Sequence, residues 1–108
     1  MSYKIIPTKK FAKELKRLVK KYPSLKKEYA SLINSLEKNP IKGVPLGNNC
    51  YKIRVAISSK GAGKSGGARV ITYFIISKET VYLISIFDKS EYDNISDKEI
   101  QERLKTEI

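Results

Sequence analysis

The chain has 108 residues, 41% of them hydrophobic, with 22 Lys or Arg against 11 Asp or Glu, one cysteine and no histidine. That length supports a single domain over residues 1–108 with one core and leaves no room for a second. A formal charge of +11 and a pI of about 9.8 point to a polyanionic partner, most often nucleic acid, though ribosomal-type solubility or membrane-surface binding would also fit. The lone Cys50 excludes an internal disulfide framework and suits a reducing cytoplasm.

Lysines interrupt the N-terminus from the start, so no signal-peptide core is expected there. No apolar run approaches the roughly 20 residues of a transmembrane helix, and the partners expected are nucleic acid and protein, with no membrane. Residues 3–7 are short and apolar enough for a strand that Pro7 would end. Thr8 is a candidate N-cap, because its hydroxyl can accept from an unpaired first-turn N–H. Phe11, Leu15, Leu18, Val19 and Tyr22 then recur on one side of a 3.6-residue helix. Tyr22-Pro23-Ser24 breaks it, since proline disfavours helical geometry in the residue before it, and Pro23 fits the first turn of a new helix. Leu25, Tyr29, Leu32, Ile33 and Leu36 repeat the spacing until Asn39-Pro40. So short a connection predicts an antiparallel helical hairpin, and its many lysines read as a solvated outer face.

Residues 41–49 hold Gly43, Pro45, Gly47 and two asparagines and read as a loop. From Tyr51 the pattern alternates: Tyr51, Ile53, Val55 and Ile57 share one strand face, Lys52 and Arg54 the face opposite the core. A glycine-rich basic loop follows. Residues 68–76 form the longest apolar, β-branched run and predict a central strand. Ser77-Lys78-Glu79 is a hairpin turn into an antiparallel strand over residues 80–87. Ser96 and Glu99 have capping-box spacing, with Ser96 as N-cap and Glu99 reaching back, for a helix over residues 97–105 that packs Ile100 and Leu104. The order β-α-α-β-β-β-α predicts an α+β domain, a helical hairpin packed on a mostly antiparallel four-stranded sheet.

Charge divides the chain in three. Residues 1–40 carry a net +8, residues 41–78 carry seven basic and no acidic side chains, and residues 79–108 carry a net −4. The acidic C-terminal segment either folds back to screen the basic body or is a solvated helix face. The loop imitates two nucleotide motifs. Gly61-Ala62-Gly63-Lys64-Ser65-Gly66 has the spacing G-x-G-x-x-G, and Gly63-Lys64-Ser65 resembles the end of a P-loop. Both motifs need a helix directly after the glycines, and here a strand follows, so both are rejected. The loop is instead expected to be a mobile basic tip, with Lys60 and Lys64 among Gly63 and Gly66, that closes over a phosphate backbone.

Without histidine, and with no partner for Cys50, Ser-His-Asp and Cys-His catalysis are excluded. No cluster has metal-ligand spacing, so neither metal nor small-molecule cofactor is expected. Lys, Arg and Tyr on strands remain. Cleavage of RNA at its own 2′-OH needs charge stabilised on phosphorus and protons moved. Clustered guanidinium and ammonium groups supply the first, and a lysine among like charges can shuttle protons.

The element order, and the stretches YKIRVA, GKSGGARVITYF and VYLISIFDKSEYDNIS, resemble the RelE/ParE superfamily of bacterial toxins, closest to the RelE/HigB-type branch with a glycine- and lysine-rich loop. The resemblance spans essentially the whole chain. It implies a ribosome-dependent mRNA interferase neutralised by an acidic or DNA-binding antitoxin encoded beside it, with the ribosome, its rRNA and mRNA as the other partners. By the family's pattern Lys52 and Arg54 match the basic pair on the second strand. Arg69 matches the arginine opening the third, and Lys89 the basic residue after the fourth, where arginine is usual. Tyr92 is the nearest candidate for the C-terminal aromatic, at a different spacing from Lys89. Two alternatives keep the same fold: a ParE-like DNA gyrase inhibitor, and a non-catalytic RNA-binding or co-repressor module.

Overall fold

The computed structural model describes residues 2–61, 66–92 and 94–108. Strand β1 (Lys4–Pro7) leads into helices α1 (Lys9–Lys21) and α2 (Leu25–Lys38), then β2 (Val44–Gly47), β3 (Cys50–Val55), β4 (Ala68–Ile75), β5 (Thr80–Asp88) and helix α3 (Asp97–Glu107). The five strands lie in the order β1-β5-β4-β3-β2, so the apolar β4 sits at the centre. All neighbours are antiparallel except β1, which runs parallel to β5.

The α+β class and the helical hairpin are as expected, but the sheet has five strands rather than four. The extra one is β2, inside the stretch expected to be a loop. Its residues carry turn signals because it is a short edge strand. Pro45 is tolerated where no outer neighbour needs its missing N–H, and Asn48 and Asn49, at φ 52° and 63°, make a two-residue hairpin of the type that demands left-handed backbone at both positions. Gly43 admits nothing larger: at φ 101° a Cβ would stand 2.5 Å from the Lys52 carbonyl oxygen.

Apolar periodicity explains both helices. Phe11 and Leu18 of α1 and Leu25, Leu32 and Leu36 of α2 are buried against Ile53, Val55, Val70, Val81 and Leu83 on one face of the sheet. Cys50, Ile71, Ile84 and Phe87 form a second cluster on the other face, under Ile100 of α3. A bulge makes this two-sided burial possible. The β4–β5 pairing passes from Ile71–Ser85 to Thr72–Leu83 and skips Ile84. Val81 and Leu83 before the bulge therefore share a face with Ile86 after it, although their parity differs.

Three side chains close the layers. The Thr8 hydroxyl accepts from Phe11 N–H at 3.4 Å and donates to the Leu83 carbonyl at 2.8 Å, capping α1 and hooking it to β5. Glu14 of α1 takes both terminal nitrogens of Arg103, at 2.9 and 2.8 Å, and accepts from Ile86 N–H at 3.2 Å. Arg103 also donates to the Ile84 carbonyl at 2.9 Å, so this pair satisfies backbone groups at the bulge. Ser96 caps α3 by accepting from Glu99 N–H, as expected, but the Glu99 carboxylate does not reach back. It accepts from Arg103 Nε at 2.8 Å, a charged partner one turn along the same helix. The acidic segment folds back in part: Glu91 pairs with Arg17 at 2.7 Å, and Glu107 accepts from Lys10 N–H at 2.7 Å. Among the described residues no helix is long and apolar enough to cross a membrane.

Thr8 serves α1 and β5 together, so Thr8→Ala should cost about 1–2 kcal/mol, the upper part of the range for a lost N-cap. Urea unfolding should show a lower midpoint at unchanged slope.

Candidate nucleic-acid interface

Register builds the basic face. On β3 the alternation sends Ile53 and Val55 into the core beneath the helical hairpin, so Lys52 and Arg54 take the other face. On β4 it sends Ala68 and Val70 into that core, so Arg69 also takes the other face. Arg54 pairs directly with Arg69 across the two strands, and Arg69 with Phe87 of β5. A row of two guanidinium groups and a phenyl ring thus crosses the sheet, with Lys52 beside Ile71 one step along. Arg54 is exposed and Lys52 half-buried. Arg69 is 5% exposed, and its Nη1 donates to the Ala68 carbonyl at 3.2 Å. Burial, and then the charge of Arg54, push the Arg69 pKa down. Arginine still keeps its charge, so the sheet holds two like charges opposite one another, an arrangement that destabilises a strand pair.

Lys89 follows β5, half-buried, with its N–H bonded to the Gly67 carbonyl at 3.0 Å, one step beyond the Arg69–Phe87 row. Tyr92 is 59% exposed. It lines, with Phe87, Arg17 and Asn94, a cleft of about 380 Å³ between β5 and α3. Gly66 lies in the turn entering β4. Gly63 and Lys64 lie outside the described residues.

Lys60 is placed differently from expectation. It ends a single 3-10 turn, Ser58–Lys60, rather than riding a mobile tip. Its ammonium is ion-paired with Asp88 and donates to Ser90 Oγ at 3.0 Å. The turn is itself pinned to the start of α2. Ser24 and Ser59 exchange backbone-to-hydroxyl bonds at 2.8 and 2.9 Å, and Glu28 accepts from Ser58 N–H and Oγ at 2.7 and 2.8 Å.

Asp88 is not among the site residues expected from the sequence. The available signal was its alternation with Ile86, which puts a carboxylate on the core face at the end of an apolar strand. It is fully buried. Desolvation alone would raise its pKa, but hydrogen bonds from Lys60, Tyr22 and Ser90 hold it well below the usual carboxylate range. Burial, then the nearby Asp97 charge, push the Cys50 thiol up, and the Glu14 bond foremost pushes the Arg103 pKa up. Among the described residues no three His, Cys, Asp or Glu side chains come together as a metal would require.

A family model described as the RelE toxin of the RelE/RelB toxin-antitoxin system matches residues 3–106. Two solved structures are similar in fold. The E. coli toxin RelE carrying two arginine-to-alanine substitutions, in the free state, is 18% identical with a TM-score of 0.64 and 97% of each chain covered. The isolated E. coli RelE toxin is 24% identical with a TM-score of 0.57, covering 96% of this chain and 97% of that one.

Two stability measurements test these electrostatics. Arg54→Gln relieves the cross-strand repulsion and should stabilise the fold by roughly 0.2–1 kcal/mol, a gain that shrinks as salt is added. The depressed Asp88 pKa means stability that is present above the unfolded carboxylate value of about 4 and lost as pH falls below it. Asp88→Asn should therefore be less stable at neutral pH and show a shallower acid limb of the unfolding free energy below about pH 4.

Proposed function

Because the chain belongs to the RelE toxin family, the toxin half of a toxin–antitoxin system, we propose that it is a metal-independent endoribonuclease that cuts mRNA on the ribosome. Its other partner is an antitoxin, acidic or DNA-binding. The observation that carries this reading is the cross-strand pair Arg54–Arg69, two guanidinium groups held side by side by a sheet rather than by a loop. Arg69 is nearly buried, so a phosphate drawn to it is met in a medium where charge interactions are strong.

The chemistry follows from the residues present. The 2′-oxygen attacks the adjacent phosphorus, the bond from phosphorus to the 5′-oxygen breaks, and a 2′,3′-cyclic phosphate and a 5′-hydroxyl result. One proton leaves the 2′-hydroxyl and one reaches the 5′-oxygen. Lys52, Lys89 and Tyr92 carry these protons in our reading, and Arg54 and Arg69 stabilise the charge that develops on the phosphoryl oxygens. No side chain has an unperturbed pKa near neutrality, because histidine is absent. Positioning of the substrate by the ribosome is therefore assigned a large share of the rate. Lys64, with Gly63 and Gly66, is assigned to gripping backbone phosphates around the cut.

Arg69→Lys keeps the charge but loses the planar fork that meets two phosphate oxygens at once. It should lower single-turnover cleavage on programmed ribosomes by roughly a hundred- to a thousandfold, while folding and antitoxin binding persist. Full activity would make Arg69 a docking residue, and growth arrest without mRNA cleavage would move the target to another class. Binding through about five phosphates, at Lys52, Arg54, Lys64, Arg69 and Lys89, should give a log–log salt slope near −3.5 for a single strand. A salt-independent affinity would overturn the phosphate reading.

A further inference from the structure

Asp88 and Lys60 take no part in the reaction written above, yet they join three distant segments of the chain. The Asp88 carboxylate accepts from Tyr22 Oη at the end of α1 at 2.7 Å, and from Ser90 N–H and Oγ at 3.0 and 2.8 Å. It is ion-paired with Lys60 from the turn after β3. The Lys60 side chain is only 15% exposed, and its ammonium stands 5.8 Å from the centre of the Tyr22 ring. Ser58 and Ser59, just before it, are fixed on α2. At the far end of the same connection the Gly67 carbonyl is bonded to Lys89 N–H. The segment from Gly61 to Gly67 is thus tied at both ends to one corner of the sheet. Lys60 is held through the Asp88 carboxylate, and Gly67 through the amide of the next residue. Arg69 opens β4 two residues later. A buried ion pair is weak grounds for stability, since well-packed apolar groups serve as well, so a role in placement is the better account.

We propose that Lys60 and Asp88 form a latch that positions the phosphate face, fixing where the glycine-rich connection leaves β3 and where Lys89 and Arg69 stand at its return. Neither side chain touches RNA; both are positioning residues. The inference rests on the nuclease reading and replaces the expectation that Lys60 grips phosphate.

The test compares wild type, Lys60→Met, Lys60→Arg and Asp88→Asn in single-turnover cleavage on programmed ribosomes, in urea unfolding, and in amide hydrogen exchange of the free protein. Lys60→Met should lower the maximal rate by roughly ten- to a hundredfold, the scale of a small misplacement, with the half-saturating concentration within about threefold of wild type. Its Lys89 amide should exchange faster. Lys60→Arg can donate to the same carboxylate and should restore the rate to within about threefold. A higher half-saturating concentration at full maximal rate, with a salt slope shallower by about 1, would make Lys60 a phosphate ligand and overturn the latch. So would a lower unfolding midpoint with rate and Lys89 exchange unchanged, the mark of a purely structural pair. If Lys60→Met does not fold, Asp88→Asn, which keeps the shape and an acceptor oxygen, carries the same comparison. If wild type leaves mRNA intact, the nuclease reading fails, and hydrogen exchange decides the latch alone: a Lys89 amide no faster in the variant refutes it.

Discussion

The register of β3 on β4 is the constraint on which the rest of the molecule depends. It sets Arg54 against Arg69, an unfavourable pairing, and it is fixed from the opposite face. Ile53, Val55, Ala68 and Val70 on these strands all face the helical hairpin and are at most 9% exposed. A slip of β3 by one residue would turn Ile53 and Val55 toward the other face and drive Lys52 and Arg54 into the core, so the apolar burial outweighs the repulsion by a wide margin. The core under α1 and α2 thereby holds the cationic row on the far side of the sheet.

The same logic explains where the acidic residues go. Glu14 is committed to Arg103 and the bulge, Glu28 to the turn before Lys60, Asp88 to Lys60 and Tyr22, and Glu99 to Arg103. Glu91, on the surface beside Arg17 and Lys21, contributes little to stability. Much of the acidic minority is thus bound to specific internal partners, while the lysines of α1 and α2 are largely outward and exposed. The field seen by an approaching polyanion is set by those outward cations, and it acts over about 8–10 Å at physiological salt.

Much of this was legible in the sequence, and the omissions have physical causes. Both long helices, the Thr8 and Ser96 caps, and the central place of β4 followed from periodicity and capping chemistry, which are local. β2 was hidden because an edge strand tolerates the proline and glycines that otherwise signal a loop. The bulge at Ile84 leaves no local mark, since each of its neighbours suits a strand on either face. Glu99 left its capping role because Arg103, one turn away, offers a charged donor in place of a backbone one. Lys52 and Arg54 were readable as one face because strand alternation is strict, whereas Arg69 was singled out only by the family resemblance, and its place on that face needs the β3–β4 register. Lys60 was not readable: a lysine among glycines and serines looks mobile until Asp88, 28 residues later, is known to lie beneath it.

The division of labour between strands and connection has a further physical basis. A group that stabilises developing charge must be in place before the reaction, because reorganising it during the reaction would consume the energy it supplies. Arg54 and Arg69 meet that condition, being fixed by backbone pairing on both sides of β4. A group that only grips phosphate gains little from rigidity, since attraction to a diffuse polyanion is tolerant of position. Glycine-rich chain serves that purpose, provided its ends do not disturb the rigid row. On the proposed reading, that is the task of the corner at Asp88. The buried carboxylate ties the point where the connection leaves β3 to the end of β5, and the charge of Lys60 is turned inward to hold it there.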